Sequence, residues 1–543
     1  MSQMKWRLLF SFLLLQALLI TEVVADNLPE AGCLSIRNIQ LKINDVYEVE
    51  DDPNFLESTL NFLHFKTRAG VIEKELLFRE GECLDEELTA ETGRNLRSLP
   101  IFSDARITIT PINETNEADI LITTKDRFTL RAEVSASHNS GTTKTRLSFG
   151  DKNLFGQNKA LHFSQTEEDG EKLSRYAYKD GRLFHDYALS ASYTSARDGG
   201  FESYSLANPF RALNDKYAYF FSYNKNTQNF VYKLDDNEEV EIPQFYESEG
   251  LGYSYEFGSR KQSKRIGFTL SMAQQNYFSN DLSAQTSIPD RLEQIDLDFT
   301  ATLTDRHDFI VMQGLDSLVY REDIELFKSF IFGLGVQQRD DLAGIEYHPK
   351  YQIGYRQTRY NQEDLLSSYY FNHSGRYYDG NLLETATTAF YHCYYLPQPG
   401  HVWLGGLTYQ YRYGKDILND PLSMGGDVGF RGYETSSFTG NKSLLLNLEF
   451  RHRLPSKWSK VAIGQAFFAD TGYAWKKGED MRFEDLKANV GWGLRFDVPS
   501  IFGKDVLRFD LAVATDTGDI LASITLGQIF RYNELTQNNQ QEF

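Results

Sequence analysis

Beyond its first 25 residues the sequence has no apolar run approaching the roughly 20 residues a spanning helix needs. The rest of the chain therefore folds in water or enters a membrane without spanning helices. Basic excess is missing too. The chain carries 56 Lys and Arg against 76 Asp and Glu, a formal net charge of −20, which argues against a nucleic-acid partner. No GxSxG elbow, HExxH, CxxC or Walker-type loop occurs, and ten histidines scatter without metal-ligand spacing. His452 in EFRHR has no nucleophile assignable to it. These absences argue against an enzyme and give no expectation of a metal or cofactor. The enzymatic alternative is a barrel hydrolase whose Ser–His pair assembles from distant strands. Of only three cysteines, Cys33 and Cys83 share a small N-terminal region, where they are either disulfide-bonded or separately buried thiols. Cys393 sits in an aromatic strand as a small apolar filler.

What is present begins with an export signal. Lys5 and Arg7 precede an apolar run from Leu8 to Ile20, and Val23-Val24-Ala25 is a small-residue exit. This pattern predicts a secretory signal over residues 1–25, cleaved after Ala25.

Residues 26–126 read as a small α+β domain. LSIRNIQLKI (34–43) is a strand with one break in its alternation, followed by an acidic insertion over 47–66. Thr67 is placed to cap a helix with Ile72 and Leu76 on one face. After Asp85, the spacing of Leu88, Thr92, Leu96 and Leu99 predicts a second helix, which Pro100 stops. ARITITP (105–111) and ADILITT (118–124) alternate as strands, giving a sheet covered on one face.

From about Phe128 strand patterns repeat, as in YALSASYTSA (187–196), SLLLNLEFRH (443–452) and ITLGQIF (524–530). With 39 Phe, 32 Tyr and 39 Gly at 41% hydrophobic content, the composition suits strands that alternate between lipid and lumen. Roughly 25 residues per strand and connection predict 16 strands over 127–530, enough to close a transmembrane barrel. In the last strand Ile520, Ala522, Ile524, Leu526 and Phe530 share the outward face, Ser523 and Thr525 point inward, and Gly527 weakens pairing. A polar tail, 531–543, follows. Periplasmic propellers or sandwiches are the water-soluble alternative.

One segment, GGDVGFRGYETSSFTG (425–440), fits neither helix nor strand. Gly425, Gly426, Gly429 and Gly432 permit a tight hairpin from which Arg431 projects. Inside a barrel a guanidinium needs a partner. Asp470 in FADTG (468–472) is a candidate, inward if the strand phase is right, and the alternative is an exposed arginine on an external loop.

FRGYE (430–434) resembles the VRGF/VRGY signature of the Omp85 superfamily, and Phe468-Ala469-Asp470-Thr471-Gly472 resembles its FxDxG element. GWGLRFDVP (491–499), with Gly491, Gly493 and Arg495, and VLRFDLA (506–512) are similar to its late strands; FGDKNLFGQ (149–157) is similar to an early one. LRSLPIFSDARITITP resembles part of a single POTRA domain. The resemblance, of the surface antigen D15 type, implies a 16-stranded barrel in the bacterial outer membrane with an inward-folded loop. It implies that Arg431 locks to Asp470, with Gly429, Phe430, Gly432, Tyr433, Phe468 and Gly472 shaping the hairpin and its seat. It also implies a POTRA-like domain in the periplasm.

The function implied is nucleotide-free insertion or export of client polypeptides, which contact a POTRA edge (103–111 or 34–43) and the barrel seam. Outer-membrane lipids and periplasmic accessory proteins are the other expected partners. Alternatives are a dedicated two-partner-type transporter and a passive channel or structural protein. One POTRA-like unit is fewer than the best-known assembly factors carry. The 47–66 insertion and the 531–543 tail depart from the family pattern, and Phe530 is the strand-end aromatic.

Overall fold

The computed structural model describes residues 33–48, 55–112, 115–139, 142–168, 171–184, 186–197, 199–227, 230–233, 239–277, 291–341, 344–361, 364–414, 422–426, 429–455 and 460–528. The signal segment, Phe530 and the 531–543 tail lie outside them.

The N-terminal domain has three strands, β1 (Ser35–Asn44), β2 (Phe102–Ile112) and β3 (Glu117–Asp126), in the order β1-β3-β2. β3 is central, parallel to β1 and antiparallel to β2. Its alternation buries Ile120 and Ile122 against Ile36, Ile72, Phe78, Leu96 and Ile101. Three helices, α1 (Phe55–Leu63), α2 (Ala69–Glu73) and α3 (Glu86–Ser98), complete the domain. Asp85 caps α3, accepting from the backbone N–H groups of Glu87 and Leu88 at 2.8 and 3.1 Å. The break in β1 is a register shift between Ile36 and Asn38. Cys33 and Cys83 form a disulfide. The free Cys393 is half-buried in the strand Asn381–Gln398.

Two local expectations change. The 47–66 insertion contains α1. Thr67 does not cap α2, because its backbone N–H donates to Asp126 (2.8 Å) and its hydroxyl accepts from Asn153 (2.9 Å). The residue at the N-cap position is Arg68, whose side chain makes no cap.

Among the described residues, twenty of the remaining strands close into an antiparallel barrel, where the sequence spacing predicts 16. The difference lies in short strands and tight connections, notably the ten-residue strands Tyr187–Ala196, Gly199–Asn208 and Tyr217–Asn226. Large apolar side chains such as Leu147, Phe149, Phe299, Leu334, Trp403 and Leu448 stay exposed on the outside, the face a bilayer would cover. The seven-residue strand Ile520–Leu526 lies beside Leu130–Asn139, closing the ring. Ile520, Ala522, Ile524 and Leu526 face outward, as the alternation predicts. Gly527 does not sit within a ladder. It follows the strand at φ 96° and donates to the Val506 carbonyl at 2.7 Å, so it ends the strand.

The N-terminal domain covers one mouth of the barrel, with α3 across it. Arg97 grips Asp323 with two hydrogen bonds of 2.6 and 2.7 Å, and the Tyr320 hydroxyl donates to the Arg97 carbonyl at 3.0 Å. Glu91 pairs with Arg260 and accepts from Leu213 N–H at 2.5 Å, while Arg94 lies over the Phe309 ring at 3.8 Å. Behind α3 a cavity of about 900 Å³ opens into the lumen.

Candidate functional site: a re-entrant loop locked to the lumen wall

The strand Lys442–Leu454 alternates strictly, so Leu446 and Leu448 face outward while Leu445, Asn447, Glu449 and Arg451 are buried inward. Register with Ala462–Trp475 sets Asn447 opposite Asp470, Glu449 opposite Phe468 and Leu445 opposite Gly472. The next pairing sets Asp470 opposite Asn489 and Phe468 opposite Gly491. Period-two alternation therefore collects one polar patch on the lumenal face of three adjacent strands.

Into this patch descends the loop that follows the strand His401–Gly414. Its described part forms a two-stranded ribbon, Leu422–Met424 with Phe438–Gly440, whose tip carries Arg431. The Arg431 Nε and Nη2 donate to the two Asp470 carboxylate oxygens at 2.9 and 2.7 Å, and Nη1 donates to Glu449. The guanidinium lies 3.5 Å from the Phe468 ring centroid. Asn447 donates to Asp470 (2.7 Å) and to the Gly429 carbonyl (2.6 Å). With its amide nitrogen turned to Asp470, Asn489 donates at 3.0 Å and accepts from Gly432 N–H at 3.2 Å. The Arg431, Asp470 and Glu449 side chains are at most 2% exposed. Burial opposes the charge on Arg431, but Glu449 and Asp470 outweigh it and hold its pKa above the ordinary guanidinium value.

The glycines make the approach possible. Gly425 is at φ 132°, and a Cβ there would sit 1.9 Å from the Glu434 carbonyl oxygen. A Cβ at Gly432 would come within 2.4 Å of the Asn489 Cβ, and one at Gly472 within 2.8 Å of Met424 Cε. In the wall, Gly491 leaves room for the Phe468 ring and Gly493 for the Asp510 carboxylate. Phe430 is fully buried among Met424, Leu445 and Ala474, with Tyr433 and Phe438 packed beside it. The Tyr433 hydroxyl donates to Asp516 at 2.8 Å; burial and then this carboxylate push the phenol above its usual range.

The patch extends toward the seam. Arg495 donates to Asp510 at 2.6 Å and to the Gln528 side chain at 3.3 Å, and Arg508 pairs with Asp510 at 3.0 Å. Glu449 also binds Arg451 at 2.6 Å. Thus Arg431, Asp470, Phe468 and the motif glycines lie together at the seat of the loop. Sequence reasoning missed Glu449, Asn447 and Asn489. Glu449 and Asn447 were within reach, since both keep phase with Leu445 opposite the apolar Leu446 and Leu448. His452 has the other phase and stacks on His401 at 4.5 Å, away from the lock.

The early motif FGDKNLFGQ does a different job. Asp151 accepts from the Thr129 hydroxyl (2.6 Å) and from Asn153 N–H (2.9 Å). Asn153 in turn donates to the Phe65 carbonyl (3.1 Å) and the Thr67 hydroxyl. The Gly156 carbonyl accepts from Arg68 N–H at 2.9 Å, and a Cβ on Gly156 would lie 2.2 Å from the Lys66 carbonyl oxygen. The turn between the strands Thr142–Asp151 and Lys159–Glu168 therefore clasps the end of the 47–66 insertion.

Residues 344–530, which contain the loop and its seat, match the model of the Omp85 superfamily domain. No curated protein matches the chain. Among solved structures it is similar to BamA from Haemophilus ducreyi lacking POTRA domains 1-3, at 13% identity over 92% of this chain and 84% of that one, TM-score 0.36. It is also similar to CdiB from Acinetobacter baumannii (12% identity, 97% of each chain, TM-score 0.35) and CdiB from Escherichia coli (10% identity, 94% and 92%, TM-score 0.42). Likeness at that level carries no functional argument. The matched domain, together with a closed barrel and an apolar outer face, makes this an outer-membrane barrel protein whose residues 344–530 carry an Omp85 superfamily domain.

Proposed function

We propose that the protein inserts client polypeptides into the outer membrane, or passes them across it, without a nucleotide, its N-terminal domain acting as a single periplasmic POTRA-like module. The observation that carries this reading is the loop locked beside the seam. The Arg431 patch runs through Glu449 and Arg495 to Gln528, just past the seven-residue closing strand. A seam closed by a strand of only seven residues offers, on opening, backbone groups that an entering strand can satisfy, and client burial supplies the free energy. Of the two N-terminal edges, β1 is partly occupied: Ile36 N–H donates to Glu82, and Gly81 and Leu84 donate back to Ile36 and Leu34. β2 is thus the better edge for an extended client. Export through the lumen requires both α3 and the loop to move, and the occupied lumen weighs against a permanently open pore.

Site-specific photocrosslinkers at Leu526 and Val134 beside the seam, and at Arg106 on β2, test this in growing cells. Adducts with newly exported polypeptides are expected at all three positions. Adducts no more frequent than from a crosslinker at Trp403, on the outer wall away from the seam, would overturn the reading.

A further inference from the structure

We infer that the lumenal wall built by the first barrel strands binds an acidic, extended polypeptide segment. The inference rests on the client-handling reading above and names the chemistry of what the lumen recognises.

The four strands are Leu130–Asn139, Thr142–Asp151, Lys159–Glu168 and Glu171–Leu183. Their registers align Val134 with Leu147, Phe149 with Phe163, and Phe163 with Tyr176. Val134, Leu147, Phe149 and Tyr176 are at least half exposed and face outward. The opposite phase belongs to the lumen and carries Arg131, Arg146, Arg175 and Lys179, all four exposed. His162 lies between them, within electrostatic reach of Arg146 and Arg175. At the lower rim, Arg127 and Lys152 add two more cations. Burial first, then Arg131 and Arg127 beside it, lowers the Lys152 amine to about 8.

Elsewhere among the described residues several lumenal cations meet carboxylates. Lys350 meets Asp296 and Asp298 at 2.6 and 2.8 Å, Arg265 meets Glu256 at 2.7 Å, and Arg306 meets Glu325 at 2.9 Å. Arg431, Arg495 and Arg508 are matched by Asp470, Glu449 and Asp510. The early wall breaks this pattern. Among the described residues no carboxylate pairs with Arg131, Arg146, Arg175 or Lys179. The one carboxylate among the described side chains on that face, Glu133, accepts from the Ser148 hydroxyl at 3.4 Å.

The neighbouring strands extend the surface without charge. Register carries Lys179 to Ser190, Ser205 and Ser222, and Ser192 to Ser203 and Asn224. The wall is therefore a cationic stripe beside a field of hydroxyl and amide groups. Neighbouring strands are about 4.8 Å apart, so the stripe spans many ångströms, further than one small anion can bridge. An extended chain with repeated carboxylates fits it, its backbone meeting the Ser and Asn groups. Because the whole protein is strongly acidic at −20, its other surfaces repel such a segment and direct it to this stripe.

The test uses the full-length protein in detergent micelles and two fluorescein-labelled peptides, one alternating Glu and Ser, the other alternating Lys and Ser. An Arg97→Ala version, which loosens α3 from the mouth, guards against an inaccessible lumen. Anisotropy at low salt should show the acidic peptide binding, and an Arg146→Gln/Arg175→Gln double variant should bind about tenfold more weakly. An Arg339→Gln variant, altered outside this wall, should bind as the parent does. Retention of the heat-modifiable migration of a folded barrel shows that each variant is intact. Equal binding of both peptides, an unchanged double variant, or displacement by acetate at the same carboxylate concentration would each overturn the inference. Crosslinking at the seam is independent of this measurement, so failure here leaves the client-handling reading to its own test.

Discussion

Arg431 and Asp470 face each other through two near-parallel hydrogen bonds of 2.9 and 2.7 Å, in a place where neither side chain is more than 2% exposed. Both ends of the guanidinium are used, because Glu449 takes the remaining nitrogen. Removing one partner leaves the others buried without compensation. Such a truncation costs about 3–5 kcal/mol. Arg431→Ala and Asp470→Ala should each lower the unfolding midpoint and open the loop to added protease. The double variant should lose much less than the sum. Arg431→Lys should behave nearly like Arg431→Ala, since an ammonium can neither form the fork nor stack flat on Phe468.

Gly491 is a packing determinant of the same lock. A Cβ there would come within 2.2 Å of Phe468 Cζ, so Gly491→Ala must push the ring from beneath Arg431. The expected loss is about 1–3 kcal/mol of stability. The smaller side chain of Phe468→Leu should restore part of it when the two changes are combined. Thermal unfolding of the two single variants and the combination checks this, and additive losses would count against it.

The clasp at Asn153 ties the domains together. Asn153 is fully buried and its amide bridges Phe65 and Thr67. Asn153→Ala should leave the barrel folded while raising hydrogen exchange over residues 64–68. The expected cost is about 1–3 kcal/mol, that of buried groups left without partners.

The mouth closure depends on Arg97. Arg97→Ala or Asp323→Ala should raise the conductance of the barrel in a planar bilayer, with an unchanged unfolding midpoint for the barrel itself. A midpoint shift without a conductance change would assign the pair to barrel stability.

Much of this molecule was legible in its sequence because strand alternation is a local signal. Alternation in the last strand placed Ile520, Ala522 and Ile524 on one outward face, whereas Asp470 was inward only if the phase of FADTG was right. The spacing of Leu88, Thr92 and Leu96 announced α3. Strand number was less legible: an average residue count per strand says nothing about where short strands cluster, and Tyr187–Ala196 and its neighbours raise the total to 20. Contacts between distant segments were hidden as well. Nothing near Thr67 signals that Asn153 will claim its hydroxyl, and nothing near Arg97 points to Asp323. Glu449 was visible in phase but stands in a charged stretch, where an unpaired reading of EFRHR drew attention to His452.

The central claim is that this barrel handles other polypeptides. Quantitative mass spectrometry of the outer-membrane and secreted proteomes tests it most directly, comparing cells with the gene, without it, and with Arg431→Ala in its place. The account predicts loss of a set of integral barrels, or of a particular secreted protein, in the deletion, with at least partial loss in the Arg431→Ala strain. Unchanged proteomes in cells shown to express the protein would contradict it.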